Sequence, residues 1–230
     1  MTDHKNTSIS LRKRPKQERS TELFSSVLEA AVQVLIKEGI ERFTTARVAE
    51  KAGVSVGSLY QYFPNKKAIL YQLQKDEWRK TSSLLRAILE ETQSPPLERL
   101  RTLVFKFLIS ECEEAEIRTA LEDAAPFYRD NFDTHEERPL RSRSMQMLIQ
   151  EILPNASEAT QMLVGHLVAT TIISVGKHFS ERPRTTEEIE NYAAAMSDML
   201  CSYLKEVQDR CSDGVSCMDD KDQIIKVHPE

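Results

Sequence analysis

Phe24, Leu28, Ala31 and Leu35 recur at helical spacing, with Val27, Ala30 and Val34 beside them. This one apolar stripe predicts a helix over about 18–37, closed by Gly39 just past its end. Thr44 is placed to cap a short helix over 46–52, which Gly53 ends. Val54 and Ser55 turn the chain, and a second short helix follows over 56–62. Pro64 stops that helix, and Asn65 can cap a long one over 66–92, with apolar positions at Ile69, Leu73, Trp78, Leu84, Leu85 and Ile88. Ser94-Pro95-Pro96 breaks the pattern. Helical periodicity returns over 97–112, 117–127 and 138–153. Ser157 then caps a strongly apolar stretch reaching about 179, and a last helix covers 186–210. About nine helices and no convincing strand make the chain all-α. Residues 1–17 read as a polar, basic arm, and 212–230 as a polar, acidic, disordered tail.

Composition sharpens the picture in two ways. The net charge of −5 is unevenly spread. Residues 1–67 hold 12 Lys and Arg against 7 Asp and Glu, whereas the remaining residues hold 19 against 29. A basic head on an acidic body points to the head as the part that meets a polyanion. The four cysteines, Cys112, Cys201, Cys211 and Cys217, form no C-x-x-C pair, so reduced thiols and a cytoplasmic setting are expected. The N-terminus lacks the apolar core of a secretory signal. No apolar run is expected to reach the roughly 20 residues of a membrane span.

The stretch GVSVGSLYQYFP, residues 53–64, opens with G-x-S-x-G. That spacing occurs in the nucleophile elbow of serine hydrolases, where a strand precedes the serine. Here the preceding TTARVAEKA is helix-forming, with Val48, Ala49 and Ala52 on one face, and no histidine is marked as a base for Ser55. A helix-turn-helix fits better. It needs a small residue where two helices cross, a Gly in the turn and apolar plugs between the helices. Ala49, Gly53, Val54 and Leu59 supply these.

With these residues in place, TTARVAEKAGVSVGSLYQYFPNKKAI resembles the DNA-binding head of the TetR family of bacterial transcriptional repressors. The likeness covers about 18–72 and rests on the dense pattern G-V-S-x-G-x-x-Y-x-Y-F-x-x-K. It implies a three-helix head over 18–65, joined to a helical ligand-binding and dimerisation domain over 66–211. The second helix of the motif would lie in the major groove. Val56, Gly57, Ser58 and Gln61 are then the candidates facing bases: Gln61 can pair with adenine, and Val56 can meet a thymine methyl. Gly57 would allow close backbone approach, or it is an N-terminal helix position without readout. Tyr60, Tyr62 and Lys66 match positions that contact phosphates in the family; alternatively, one of the two tyrosines only packs against the first helix. Thr44, Thr45, Arg47 and Ser55 complete the DNA-binding candidates, with Thr44 better suited to capping. The basic run at 12–16 can reach the minor groove or add unspecific attraction.

The family likeness also implies a homodimer built from the last two long helices, an inverted-repeat operator in double-stranded DNA, and release by a small-molecule effector. Trp78, Phe105, Phe127, Tyr128, Met145, Met162 and His166 are candidate pocket residues, although aromatic and Met residues at helical spacing also build cores. The acidic run Glu111, Glu113, Glu114 and Glu116 reads as a solvated face. The sequon at 155–157 lacks a secretory context. No metal, cofactor or catalytic set stands out. The competing interpretation is a helical enzyme or scaffold whose activity lies in the acidic body.

Overall fold

A computed structural model describes residues 11–12, 18–128 and 143–212. The basic run beyond Arg12, the start of the helix expected over 138–153, Cys217 and the acidic tail lie outside the described residues. Those described form nine α-helices and no strand: α1 (Glu18–Arg42), α2 (Thr45–Lys51), α3 (Val56–Tyr60), α4 (Lys66–Leu89), α5 (Pro96–Glu113), α6 (Ala115–Ala124), α7 (Arg143–Ile152), α8 (Glu158–Ser180) and α9 (Thr186–Ser212). One 3-10 turn, Ala125–Phe127, follows α6.

Local signals place most of the boundaries. Gly39 interrupts α1 with φ 73°, a conformation that costs a glycine little. Thr44 accepts a hydrogen bond from the Arg47 amide and caps α2. Asn65 Oδ1 accepts from the Ala68 amide at 2.9 Å and starts α4. The Ser157 hydroxyl accepts from the Thr160 amide and starts α8, which gives the sequon serine a structural role.

Two compact units emerge, and they interleave along the chain. The first holds the described residues up to Lys80 together with those from Glu114 to Tyr128; the second holds Thr81–Glu113 and the described residues from Arg143 onward. α4 contributes to both cores: Ala68, Ile69, Leu70 and Leu73 are buried in the first, Leu85 and Leu89 in the second. Leu84, expected on the buried stripe, is exposed because Thr81, Leu85 and Leu89 take the buried side of the helix there.

The first core joins Val27, Ala31, Val34 and Leu35 of α1 to Val48, Ala49, Leu59 and Phe63, and to Leu121, Ala124 and Tyr128 at the end of α6. In the second, α5 packs against α7, α8 and α9 around Leu100, Leu103, Val104, Leu148, Val168, Ile172 and Leu204. Gly176 lets α8 approach α5, because a Cβ there would stand 2.6 Å from the Phe107 ring. Buried Arg99 donates to the Leu89 carbonyl at 2.6 Å, satisfying the end of α4, and pairs with Glu151.

Two expectations need correction. α8 is long and apolar enough to cross a membrane by length and composition, with a mean hydropathy of 1.4 over its most apolar window. Its apolar character serves packing on one side, where Val164, Val168, Ile172 and Phe179 are buried. The acidic run is also not a uniformly solvated face. Glu111 is buried, and Glu114 lies with Glu77, Arg118 and Lys80 in an ion cluster joining α4 and α6. Arg118 is 2.8 Å from Glu77 and 3.0 Å from Glu114, and Lys80 pairs with Glu114.

Burial pushes the Glu77 carboxyl from its ordinary 4.5 up to about 7; a hydrogen bond to Glu114 adds to this and the Arg118 charge opposes it. The folded state therefore binds a proton more tightly than the unfolded state. The associated stability is complete below about pH 4.5 and is lost as pH rises through about 7. Thermal melting at pH 5.5 and pH 8 should show a loss on the order of 1–3 kcal/mol. Glu77→Gln should flatten that dependence. An unchanged pH profile in the variant would contradict the assignment.

Candidate nucleic-acid interface

The first unit presents its helix-turn-helix on a fully packed base. Val48, Ala49 and Leu59 have no exposed surface, which fixes α2 against α3. Gly53 takes φ 67° in the turn, and the Val54 amide donates to the Ala49 carbonyl at 3.0 Å. Ser55 is the cap of α3: its Oγ accepts from the Ser58 amide at 3.0 Å and lies 2.8 Å from the Ser58 hydroxyl. The G-x-S-x-G serine thus sits between two helices with no preceding strand. Past Tyr60 the Tyr62 and Phe63 amides still donate to the Leu59 carbonyl, both at 3.0 Å, so the helical turn continues to the core.

What remains outside is a contiguous set from α2, α3 and their caps. Thr44, Arg47, Ser55, Val56, Gly57, Tyr60 and Gln61 are exposed, and Thr45, Ser58 and Lys66 are half-buried. The tyrosines divide: Tyr60 is 37% exposed and Tyr62 only 5%. Tyr62 packs edge-on against Phe24 of α1, with ring centroids 5.9 Å apart. The Tyr60 hydroxyl lies 3.1 Å from the Thr45 hydroxyl, which steadies the phenol against α2. Arg47 is not a free cation, since it pairs with Glu38 of α1.

Gly57 stands out by what does not surround it. A Cβ there would meet only Ser55 Oγ, at 3.7 Å, an ordinary contact. Glycine in a helix costs roughly 0.5–1 kcal/mol relative to alanine. Among the described residues, therefore, no close packing contact calls for a glycine at this position.

Two groups of contacts, one at the arm and one at Lys66, are not legible in the sequence. Leu11 packs on the first core, the Arg12 amide donates to the Tyr62 carbonyl at 2.9 Å, and Arg12 Nη1 donates to the Tyr60 carbonyl at 3.3 Å. The arm is thereby pinned at Arg12 to the end of α3. The Lys66 ammonium lies 4.4 Å from the centroid of the Phe127 ring. Sequence separation hides both, and only the basic character of Arg12 and Lys66 is visible beforehand.

The candidate pocket residues are divided between the two units. Phe127 and Tyr128 belong to the first core, and Phe105 and Met145 to the second. Trp78 is half-buried on α4. Met162 and His166 lie on the exposed side of α8, Met162 at 60% exposure, because Val164 and Val168 take the buried side. Among the described residues no group of His, Cys, Asp and Glu is arranged to hold a metal. Burial pushes the Cys112 and Cys201 thiols up, away from reactive thiolates.

Comparison with known proteins agrees with this geometry. Residues 27–73 match the family model described as bacterial regulatory proteins, tetR family, and residues 95–207 match the tetracyclin repressor-like C-terminal domain. The HTH-type transcriptional regulator TtgR of Pseudomonas putida is 33% identical over 129 residues, 54% of this chain and 61% of that protein. The match thus spans about three-fifths of the relative's own length. Among solved structures, a putative TetR-family transcriptional regulator from Mesorhizobium loti aligns with TM-score 0.63 and 18% identity, covering 81% of this chain and 98% of that one. SmeT, solved in complex with triclosan, aligns with TM-score 0.53 and 16% identity over 79% of this chain and 90% of that one. These neighbours share the all-helical fold. With a helix-turn-helix head and a helical C-terminal domain both matched, the chain belongs to the TetR family of bacterial regulatory proteins.

Proposed function

We propose that the protein is a cytoplasmic transcriptional repressor that binds an inverted-repeat operator as a homodimer and releases it when a small-molecule effector binds. The observation that carries this reading is the uncovered polar face of α2 and α3, held from behind by wholly buried Val48, Ala49 and Leu59. In the proposed complex α3 lies in the major groove, with Val56, Ser58 and Gln61 toward base edges. Tyr60, Thr44, Thr45 and Lys66 meet phosphates, which set register without reading sequence. Tyr62 supports the reading helix from the core side. Arg47, paired with Glu38, and Arg12, pinned beside Tyr60, add positive charge at the edges of this face.

The dimer is supported by the uncovered sides of α8 and α9. Met162, Leu163 and Leu167 on α8, and Tyr192 and Met199 on α9, are large apolar side chains left exposed in the single chain. Apolar strips at helical spacing on two long helices suit a four-helix bundle with a second copy. The effector is proposed by analogy with the triclosan complex of SmeT, and its chemical identity is not part of the proposal.

Lys66→Ala should weaken binding to every duplex and flatten the salt dependence by roughly one unit. Gln61→Ala should instead relax preference at one base position, worth about 1–3 kcal/mol. Titrations across salt and across single-base operator variants separate the two roles. Wild-type salt slopes in the first variant, or wild-type base preferences in the second, would remove that residue from the interface.

Gly57→Ala should fold as well as the parent and bind DNA at least about tenfold more weakly, a loss of roughly 1.4 kcal/mol or more. Melting temperature and affinity measured together check this; undiminished binding would show that no close approach occurs at α3. Leu167→Glu should convert a dimer to a monomer in sedimentation while leaving the melting of the exposed site's own core intact. A wild-type monomer, or a variant that still dimerises, would count against the bundle.

A further inference from the structure

The Lys66 ammonium and the Phe127 ring meet across 4.4 Å although they lie far apart in the chain. Lys66 is the first residue of α4, and Phe127 is the last residue of the 3-10 turn that follows α6. The ring is not a loose surface group. Its neighbour Tyr128 is buried, and the Tyr128 hydroxyl donates to the Leu121 carbonyl at 2.6 Å and lies 3.0 Å from Gln74 Oε1. The turn is thus tied to both α6 and α4, and it offers a fixed aromatic face to the lysine. Phe127 itself is only half-buried, so the ring can be altered without opening the core.

An aromatic face attracts a cation through its quadrupole, and it does so without using the cation's N–H donors. A lysine held by a carboxylate would have its charge neutralised and its donors engaged. A lysine held by a phenyl ring keeps its net charge and leaves N–H groups open on the side away from the ring. Fixing a long, flexible lysine before its partner arrives also lowers the ordering cost when the partner binds. Lys66 begins a helix of 24 residues, and the backbone N–H groups at a helix start favour an anion.

We propose that Phe127 is a positioning residue for DNA binding: its ring holds the Lys66 ammonium at the start of α4 ready for a phosphate of the duplex. This rests on the phosphate role of Lys66 given above. It also gives the segment after α6 a direct line to the DNA contact, because any displacement of Phe127 removes the platform under Lys66.

The test is a double-mutant cycle on the full-length protein, read by fluorescence anisotropy with a labelled random-sequence duplex at low salt. Phosphate contact needs no operator, so this probe suffices. Phe127→Leu keeps an apolar side chain and removes the π face; it should weaken binding about two- to fivefold. Phe127→Trp, with the stronger aromatic face, should bind at least as tightly as wild type. In a Lys66→Met background neither change at 127 should alter affinity further. Melting curves establish that each variant is folded, and the Trp arm decides the matter should the Leu variant not be. Phe127→Leu binding as tightly as wild type or tighter would overturn the proposal. So would equal losses with and without Lys66, or a Trp variant that binds more weakly in the wild-type background. If Lys66→Met alone binds like wild type, the phosphate role of Lys66 fails instead, a separate result from failure at Phe127.

Discussion

A helix of five residues cannot stand alone in water. Nucleating a turn costs more than so few hydrogen bonds return, and isolated helices need more than twice that length even to be marginal. α3, the proposed reading helix, is that short. Its existence depends on Leu59, which joins the first core and loses all its exposed surface. Burying a leucine contributes roughly 1.5–3 kcal/mol, and Val48, Ala49 and Phe63 close around it. The glycine turn at 53 and the serine cap at 55 then set where α3 begins. Everything proposed for the outer face follows from this inner anchor, because side chains reach a groove together only when their helix is rigid.

Other contacts extend that rigidity. Tyr60 leans on Thr45, Arg12 closes over the end of α3, and Phe127 lies beneath Lys66. The Glu77, Arg118, Glu114 and Lys80 cluster joins α4 to α6 through charge instead of apolar packing. Arg118, Glu77 and Glu114 are only half-buried and Lys80 is exposed, so solvent screens part of this attraction. α6 is therefore held to α4 at two levels, by ions near its start and by Leu121 and Tyr128 near its end.

The parts legible in the sequence were local. Gly39 and Gly53 with positive φ, the caps at Thr44, Asn65 and Ser157, and the buried face of α1 depend on near neighbours in the chain. So did the helix-turn-helix, whose apolar, small and glycine positions all fall within one short stretch. What sequence could not supply was pairing at a distance. Arg47 reads as a free cation until Glu38 is brought to it. Glu114 reads as solvated until Arg118 and Lys80 surround it. Tyr60 and Tyr62 have equal chemistry, and only packing against Phe24 separates the outward ring from the inward one. The pocket list rested on residue type, which cannot tell the core of one unit from the core of the other. α8 shows the reverse difficulty: its exposed Leu163 and Leu167 raise its apolar content to a level that also suits a membrane.

The central claim is that two copies of the exposed α2–α3 face read DNA as a two-fold symmetric pair. The most direct measurement is selection of duplexes from a random pool by the purified, effector-free protein at physiological salt, followed by sequencing. An inverted repeat whose half-sites lie about 34–36 Å apart, or a multiple of one helical turn, is expected to be enriched. No enrichment by the folded protein, or enrichment of a sequence without two-fold symmetry, would contradict it.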